Sequence, residues 1–456
     1  MQAIEAMAYP LPEDILTRKL AGDLDGALKL IDVYLSEDRA PVLGPRLLLE
    51  KQVIARLPDD YPFARDEALR RAREGIPGFT EAEFDECELR GDIQYVYIAG
   101  QKRYFVRFLT SLYKLRPDIA ARAGCAGQAA DELLDGAIAE LRREGELSYR
   151  LRLRASLDID ASAFAPDDYC VHLPVPARSA QQSDIAILAT SEGLCDVQPE
   201  DSSARTVCLR RRLDRPETFF VEYEYLSTVR LFEMGAPAPA APLYPDAPAP
   251  CAEDLSELPG HILFTPYLRA LAADICAGES DSLRRARRIY DYVTTRVRYS
   301  FMREYFLLPP IAEYAALGLK GDCGVQSLLF ITLCRIMGIP ARWQSGLSSD
   351  LSEAGCHDWA QFYAEGWGWL FADCSYGGAA LRDGSRERWD FYFGNLDPFR
   401  MVANSRFQAE LNPAKRFGRI DPYDNQTGEC ESSARMLLSG ELHSACRVIN
   451  AQRIER

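Results

Sequence analysis

The sequence predicts an α+β protein of several domains: a helical N-terminal region, a β-sandwich, and a mixed α+β core. Three observations carry this prediction. The chain has 456 residues, a length that usually divides into about three domains of roughly 100 to 200 residues each. The period of the apolar residues changes near residue 145, from helical spacing before it to alternation after it. A Pro- and Ala-rich run that begins at Gly235 then separates the alternating region from a segment holding all five tryptophans, Trp343, Trp359, Trp367, Trp369 and Trp389.

Composition narrows the function classes. With 47% hydrophobic, 27% charged and 10% aromatic residues, the chain has enough apolar surface to fold along most of its length. A formal net charge of −15 disfavours nucleic acid and anionic membranes, which call for a basic surface. The first twenty residues carry acidic side chains and two prolines, Pro10 and Pro12, where a secretory signal has a basic flank and an apolar run. No apolar stretch approaches the roughly 18 residues of a membrane helix. A cytoplasmic protein with no membrane partner is expected. Thirteen cysteines, an odd number, fit reduced thiols better than a disulfide framework. No two cysteines stand in CxxC spacing, and the only histidines are His172, His261, His357 and His443. A zinc site then lacks the ligand clusters it requires, so no metal and no cofactor is expected.

Residues 1–145 read as a helical domain, with Leu20, Leu24, Leu28 and Ile31, and again Leu47, Leu48 and Ile54, at helical spacing. Within it a helix from Phe79 to Leu89 leads into a hairpin around Ala99-Gly100, an arrangement that resembles a wing. Lys102, Arg103 and Arg107 are the basic residues near it, too few for a nucleic-acid surface on an acidic chain, so a packing or protein-contact role is expected. Residues 146–234 alternate: Tyr149, Leu151, Leu153 and Ala155 interleave with arginines, and strands follow around Val171, Ile185, Val207 and Phe219. Short strands broken by Pro, Asp and Ser predict the sandwich. Residues 235–253 read as an extended, semi-rigid linker, 254–400 as the core domain, and 401–456 as a polar tail that closes in a helix from Ser432 to Leu442 and carries no assigned chemistry.

The core holds the informative residues. Residues 318–340 form a helix with boundary signals: Asp322 can cap its start, and Gly338 and Pro340 end it. Leu328, Leu329, Phe330, Ile331, Leu333 and Ile336 make it apolar nearly all round, as a central buried helix is. Cys323 falls in its first turn, where unpaired N–H groups and the helix dipole favour a thiolate. An inert buried thiol describes Cys334 better. Residues 355–374 alternate through two aromatic strands. A three-residue loop Ala364-Glu365-Gly366, with Gly366 left-handed, sets Tyr363 against Trp367, Gln361 against Trp369, Trp359 against Phe371, and His357 against Asp373. Those last two would share a face with Cβ atoms about 5 Å apart. A carboxylate on one imidazole nitrogen fixes the tautomer and leaves the other nitrogen for a nucleophile. The expected site is Cys323 as nucleophile, His357 as base and Asp373 as the group that orients it.

These motifs resemble the transglutaminase-like superfamily. The resemblance rests on Gly321-Asp-Cys-Gly, the run Cys334-Arg-Ile-Met-Gly-Ile-Pro-Ala-Arg, His357-Asp-Trp and Trp369-Leu-Phe-Ala-Asp, and it covers about 254–400. It implies a papain-like α+β core in a bacterial-type multidomain member, in which Cys323 attacks an amide carbonyl, His357 shuttles the proton and Asp373 holds the histidine. The acyl-enzyme is then released by water or by an amine. The oxyanion is expected to meet the backbone N–H of Cys323 and a second donor. Since no tryptophan precedes Cys323, Tyr305 is the residue that can take that second place. Trp343 or Trp389 is expected to border a substrate groove.

Three functions follow. The first is a cysteine peptidase or amidohydrolase acting on peptide or protein amides. The second is transamidation or deamidation at glutamine, by the same acyl chemistry. The third is a non-catalytic scaffold that binds a partner protein, against which an intact Cys323, His357 and Asp373 argue. The sequence leaves the oligomeric state open.

Overall fold

The computed structural model describes residues 5–455 except 38, 40, 126–128, 306, 307, 309, 408 and 420–422. Two compact units emerge. The first comprises residues 1–127, 257–263 and 296–322, and the second 128–256, 264–295 and 323–456. The domain bounds expected from sequence follow the chain in order, whereas these units interleave.

The first unit is mostly helical: α1 (Glu13–Leu20), α2 (Leu24–Ser36), α3 (Gly44–Asp60), α4 (Arg65–Gly75) and α5 (Glu81–Leu89), then the hairpin β1 (Tyr95–Ile98) and β2 (Gln101–Tyr104), then α6 (Phe108–Leu115) and α7 (Pro117–Arg122). Thr80 and Glu83 close a reciprocal capping box at the start of α5. The hairpin pairs Ile98 with Gln101 across Ala99 and Gly100, both at positive φ, +50° and +73°, as a two-residue hairpin turn of matching twist requires. Its basic side chains are engaged within the unit: Lys102 with Glu88, Arg103 with the Pro62 carbonyl, and Arg107 stacked 3.5 Å over Phe301.

The second unit begins with α8 (Ala129–Glu144), followed by six strands: β3 (Glu146–Ile159), β4 (Asp167–Pro174), β5 (Gln182–Thr190), β6 (Leu194–Val197), β7 (Thr206–Leu213) and β8 (Phe219–Arg230). Next come α9 (Pro266–Ile275) and α10 (Ser282–Arg296). The chain then visits the first unit with β9 (Arg298–Tyr299), α11 (Ile311–Gly318) and β10 (Lys320–Gly321). It returns to the second with α12 (Cys323–Ile336), β11 (Ala341–Ser349), β12 (Ala354–Ala364), β13 (Gly368–Ala372), α13 (Cys374–Arg382), α14 (Arg386–Phe391), β14 (Phe393–Gly394), β15 (Arg400–Asn404), β16 (Glu429–Glu431) and β17 (Leu442–Arg453). Among the described residues no helix is long and apolar enough to cross a membrane.

Two four-stranded sheets, β16-β4-β7-β6 and β17-β3-β8-β5, form the sandwich. Leu151, Leu153, Leu157, Val171, Leu173, Val207, Leu209, Val221 and Tyr223 fill the space between them, one residue in two along each strand, as two packed sheets require. The expected C-terminal tail is therefore corrected. The predicted helix at 432–442 is a turn and a short 3-10 helix, and β16 and β17 supply an edge strand to each sandwich sheet. β17 pairs with β3 along nearly all of its length, and half-buried Cys446, Val448, Ala451 and Arg453 are separated by exposed residues, so strand pairing wins over the local polar composition. The expected linker is likewise no free spacer. The Leu243 amide donates to the Trp367 carbonyl, and the Pro248 carbonyl accepts the Trp369 indole at 2.7 Å. Proline removes backbone donors but leaves every carbonyl able to accept.

The third sheet, β14-β13-β12-β11-β15, positions the candidate site, with α12 packed on β11 and β12. Helix α12 is buried from Cys323 to Arg335, and the left-handed Gly338, at φ +76°, closes it before Pro340. The loop between β12 and β13 has three residues, as expected, but they are Glu365, Gly366 and Trp367, since Ala364 pairs with Gly368. Gly366 and Gly368 are both left-handed, at +79° and +82°. The register is thereby two residues from the expected one: Tyr363 faces Trp369, Gln361 faces Phe371 and Ala360 faces Ala372. A slip of two keeps each side chain on its face.

Candidate active site

Asp373 directly follows β13 and caps α13, its Oδ1 accepting from the Tyr376 amide at 3.0 Å and from Ser375 Oγ at 3.2 Å. Its Oδ2 accepts from His357 Nε2 at 2.7 Å. The two-residue slip places His357 diagonally from Asp373 on the sheet, still within side-chain reach. Both are buried, 6% and 0% exposed. Burial pushes the Asp373 carboxyl up, but the charges of His357 and Arg400, with the hydrogen bonds from His357 and the Tyr376 amide, outweigh it and hold the group at about 2. An ionised carboxylate is an acceptor only, so Nε2 carries the proton in this bond and Nδ1 is left as the acceptor.

Cys323 is the first residue of α12 and is 8% exposed. Its Sγ donates to Asp358 Oδ2 at 3.1 Å, so the thiol is tied to the residue next to His357 on β12. Gln426 braces the same point: its Nε2 reaches Asp358 Oδ1 at 2.7 Å and the His357 carbonyl at 3.0 Å. Asp358 also shares a hydrogen bond with Asp424, whose carboxyl is pushed above the ordinary carboxylate range by burial, against the Ser345 and Asp358 bonds and the Arg419 charge. Two carboxyl groups this close cannot both ionise freely.

Arg400, on β15, was not singled out in the sequence. It is 2% exposed. Its Nε and Nη2 bond Asp397 Oδ2 at 2.9 and 2.6 Å, and its Nη1 lies 2.9 Å from Asp373 Oδ2, an ion pair without hydrogen-bond alignment. The guanidinium stacks 4.2 Å from the Tyr376 ring centroid, and that ring lies 4.7 Å from the ring of His357. The imidazole is thus held from one side by a carboxylate and from another by an aromatic face.

The remaining expected site residues are Tyr305, Trp343 and Trp389. Tyr305 belongs to the first unit, where its hydroxyl donates to Asp322 Oδ1 at 2.5 Å. Trp343 is 3% exposed and tilts against Phe407 with centroids 6.1 Å apart. Trp389, 4% exposed, donates its indole N–H to Thr294 Oγ1 at 2.8 Å and lies beneath the Arg287 guanidinium. Both tryptophans are core residues, and burial leaves neither a face to offer a groove. The absence of metal-ligand clusters inferred from spacing is also corrected: strand pairing brings Cys170, His172 and Cys208 together.

The family model described as Transglutaminase-like superfamily matches residues 269–374, the span that runs from α9 through Cys323 and His357 to Asp373. It is this segment, less than half of the chain, that is similar to the transglutaminase-like superfamily. The chain matches none of the curated proteins. Among solved structures, the chain is similar to a candidate cysteine protease from Cytophaga hutchinsonii, at 14% identity and a TM-score of 0.43 over 67% of this chain and 91% of that one. It is also similar to the periplasmic domain of TgpA from Pseudomonas aeruginosa, at 17% identity and a TM-score of 0.27 over 56% of this chain and 96% of that one. The assignment of the transglutaminase-like core rests on the family match and the site motifs within it.

Proposed function

We propose that the transglutaminase-like core is a cysteine-dependent acyl-transfer site that works as a peptidase or amidohydrolase on peptide or protein substrates, with Cys323 as nucleophile. The observation that carries this is the buried 2.7 Å bond from His357 Nε2 to Asp373, which leaves Nδ1 as the proton acceptor. In the reaction the Cys323 thiol leaves Asp358, gives its proton to His357, and the sulfur attacks the amide carbonyl. His357 then returns the proton to the leaving amine, and water cleaves the thioester. Cys323 heads α12, where the positive end of the helix dipole favours a developing oxyanion.

Limiting iodoacetamide at neutral pH, mapped by mass spectrometry on the intact protein, tests the reading. Preferential labelling of Cys323 that falls in His357→Ala and Asp373→Ala supports it. Labelling of Cys323 no faster than that of the exposed Cys125 and Cys356 favours a binding scaffold instead.

A further inference from the structure

We propose that Cys170, His172 and Cys208 form a zinc site on the outer face of the sandwich sheet β16-β4-β7-β6. The backbone builds it. Cys170 and His172 are two apart on β4 and share a face, and Cys208 on β7 stands directly across from His172. The core residues Val171, Val207 and Leu209 alternate with them, so all three ligands project away from the sandwich core. That face is nonetheless covered: His172 and Cys208 are 0% exposed.

The spacing is that of a metal site. Tetrahedral zinc, with Zn–S about 2.3 Å and Zn–N about 2.0 Å, sets ligand atoms about 3.5–3.8 Å apart. Here Cys170 Sγ lies 3.4 Å from Cys208 Sγ and 3.9 Å from His172 Nε2, and all the ligand atoms lie within 4.8 Å of one another. Shifts of a few tenths of an ångström close the site. The supporting shell is present too. His172 Nδ1 lies 3.3 Å from Thr206 Oγ1, so an Nδ1–H can donate there and leave the Nε2 lone pair for the metal, with the hydroxyl as the outer hydrogen-bond partner that fixes the tautomer. A set of two thiols and one imidazole selects a borderline-soft cation over calcium or magnesium. On binding, both thiols release their protons to solvent and the cation takes two thiolates and a neutral imidazole. A solvent molecule completes the tetrahedron on the side of Cys170, the less buried of the two cysteines.

The site also bears on the tail. Asn425 Nδ2 bonds the His172 carbonyl at 3.1 Å, and the next residue is the Gln426 that braces His357 and Asp358.

The test is cobalt titration of the reduced, metal-free full chain carrying Cys323→Ala, which removes the core thiol as a competitor. One equivalent of Co²⁺ is expected to produce a thiolate-to-cobalt charge-transfer band with the intense visible bands of a tetrahedral site. Both are expected to disappear in Cys170→Ser and Cys208→Ser variants whose circular dichroism matches the parent. X-ray absorption of the zinc-loaded parent, which needs no further variant, is expected to show two sulfur neighbours and a histidine. No charge-transfer band, a band unchanged by both serine variants, or a first shell without sulfur overturns the proposal.

Discussion

Asp358 accepts the Cys323 thiol at 3.1 Å, while hydrogen-bonded to a second carboxyl group, Asp424. A carboxylate that accepts S–H stabilises the thiol and, once the thiol ionises, repels the thiolate. In the proposed reaction the arrangement holds the sulfur in its unreactive form until His357 receives the proton. Replacing both acids, in Asp358→Asn/Asp424→Asn, removes every charge from the pair. The expected outcome is that the rate of Cys323 alkylation, followed against pH, reaches its half-maximum at lower pH than in the parent. A midpoint displaced to higher pH would instead make the pair a proton acceptor for the thiol.

Asp373→Asn keeps the volume but removes the charge, and the amide can offer a donor where the imidazole N–H needs an acceptor, which favours the wrong tautomer. In a Ser-His-Asp triad that change lowers turnover about 10⁴-fold, and under the proposed function a loss on that order is expected here against an amide substrate. A linked effect is expected on stability. The folded carboxyl sits at about 2 against an ordinary 3.8, so its ionised form stabilises the fold above about pH 4, and that contribution is lost as pH falls toward 2. In urea titrations, the stability difference between parent and Asp373→Asn is expected to be constant from pH 5 to 7 and to shrink between pH 4 and 2. A difference that grows on acidification would contradict the depressed carboxyl.

Arg400 lies between Asp373 and Asp397 with all three side chains buried. Removing the guanidinium in Arg400→Ala leaves two carboxylates in the interior without their cation, a change that costs about 3–5 kcal/mol in buried pairs. Chemical denaturation at pH 7 checks the size. The loss is expected to be smaller at pH 3, where acidification begins to discharge the orphaned acids. Equal losses at the two pH values would mean that packing on Tyr376, and not charge, is what Arg400 supplies.

The sequence made the His357–Asp373 pairing legible because two of its determinants are local: the alternation of 355–364 and 368–372, and glycines that permit a tight loop. The choice between Gly366 and Gly368 was not local. Both adopt left-handed backbone, and the Trp367 between them turns toward Phe232, with ring centroids 4.8 Å apart, a contact more than a hundred residues away in the chain. Arg400 and Gln426 escaped detection for the same reason. Each reaches the site through strands or loops that pair with distant partners, β15 with β11 and the 425–428 turn with β4. Asp358 is a different case: strict alternation assigns it to the face opposite His357, so no pattern argument joined it to the thiol. The cluster of Cys170, His172 and Cys208 shows how far spacing rules reach. They recognise ligands held by one loop, whereas strand pairing brings together residues 36 or more apart.

Gly346 offers the sharpest check on how the sheet holds the site. It stands opposite His357 on β12 and opposite Val402 on β15, at the bulge where β11 and β15 change register. A Cβ there would fall 1.9 Å from the Met401 carbonyl oxygen and 2.9 Å from the Ala403 amide nitrogen. Both are backbone atoms of a paired strand, which cannot swing aside as a side chain does. Gly346→Ala must therefore push β15 away from β11, and β15 carries Arg400, the counter-ion of Asp373. Overpacking of this kind costs about 1–3 kcal/mol. The expected outcome is a lowered denaturation midpoint together with slower Cys323 labelling at neutral pH. Gly355→Ala on the adjoining strand, where an added Cβ meets nothing within 4 Å, is expected to leave both unchanged. If Gly346→Ala lowered the midpoint but left labelling as in the parent, the position of Arg400 would not govern the reactivity of the thiol.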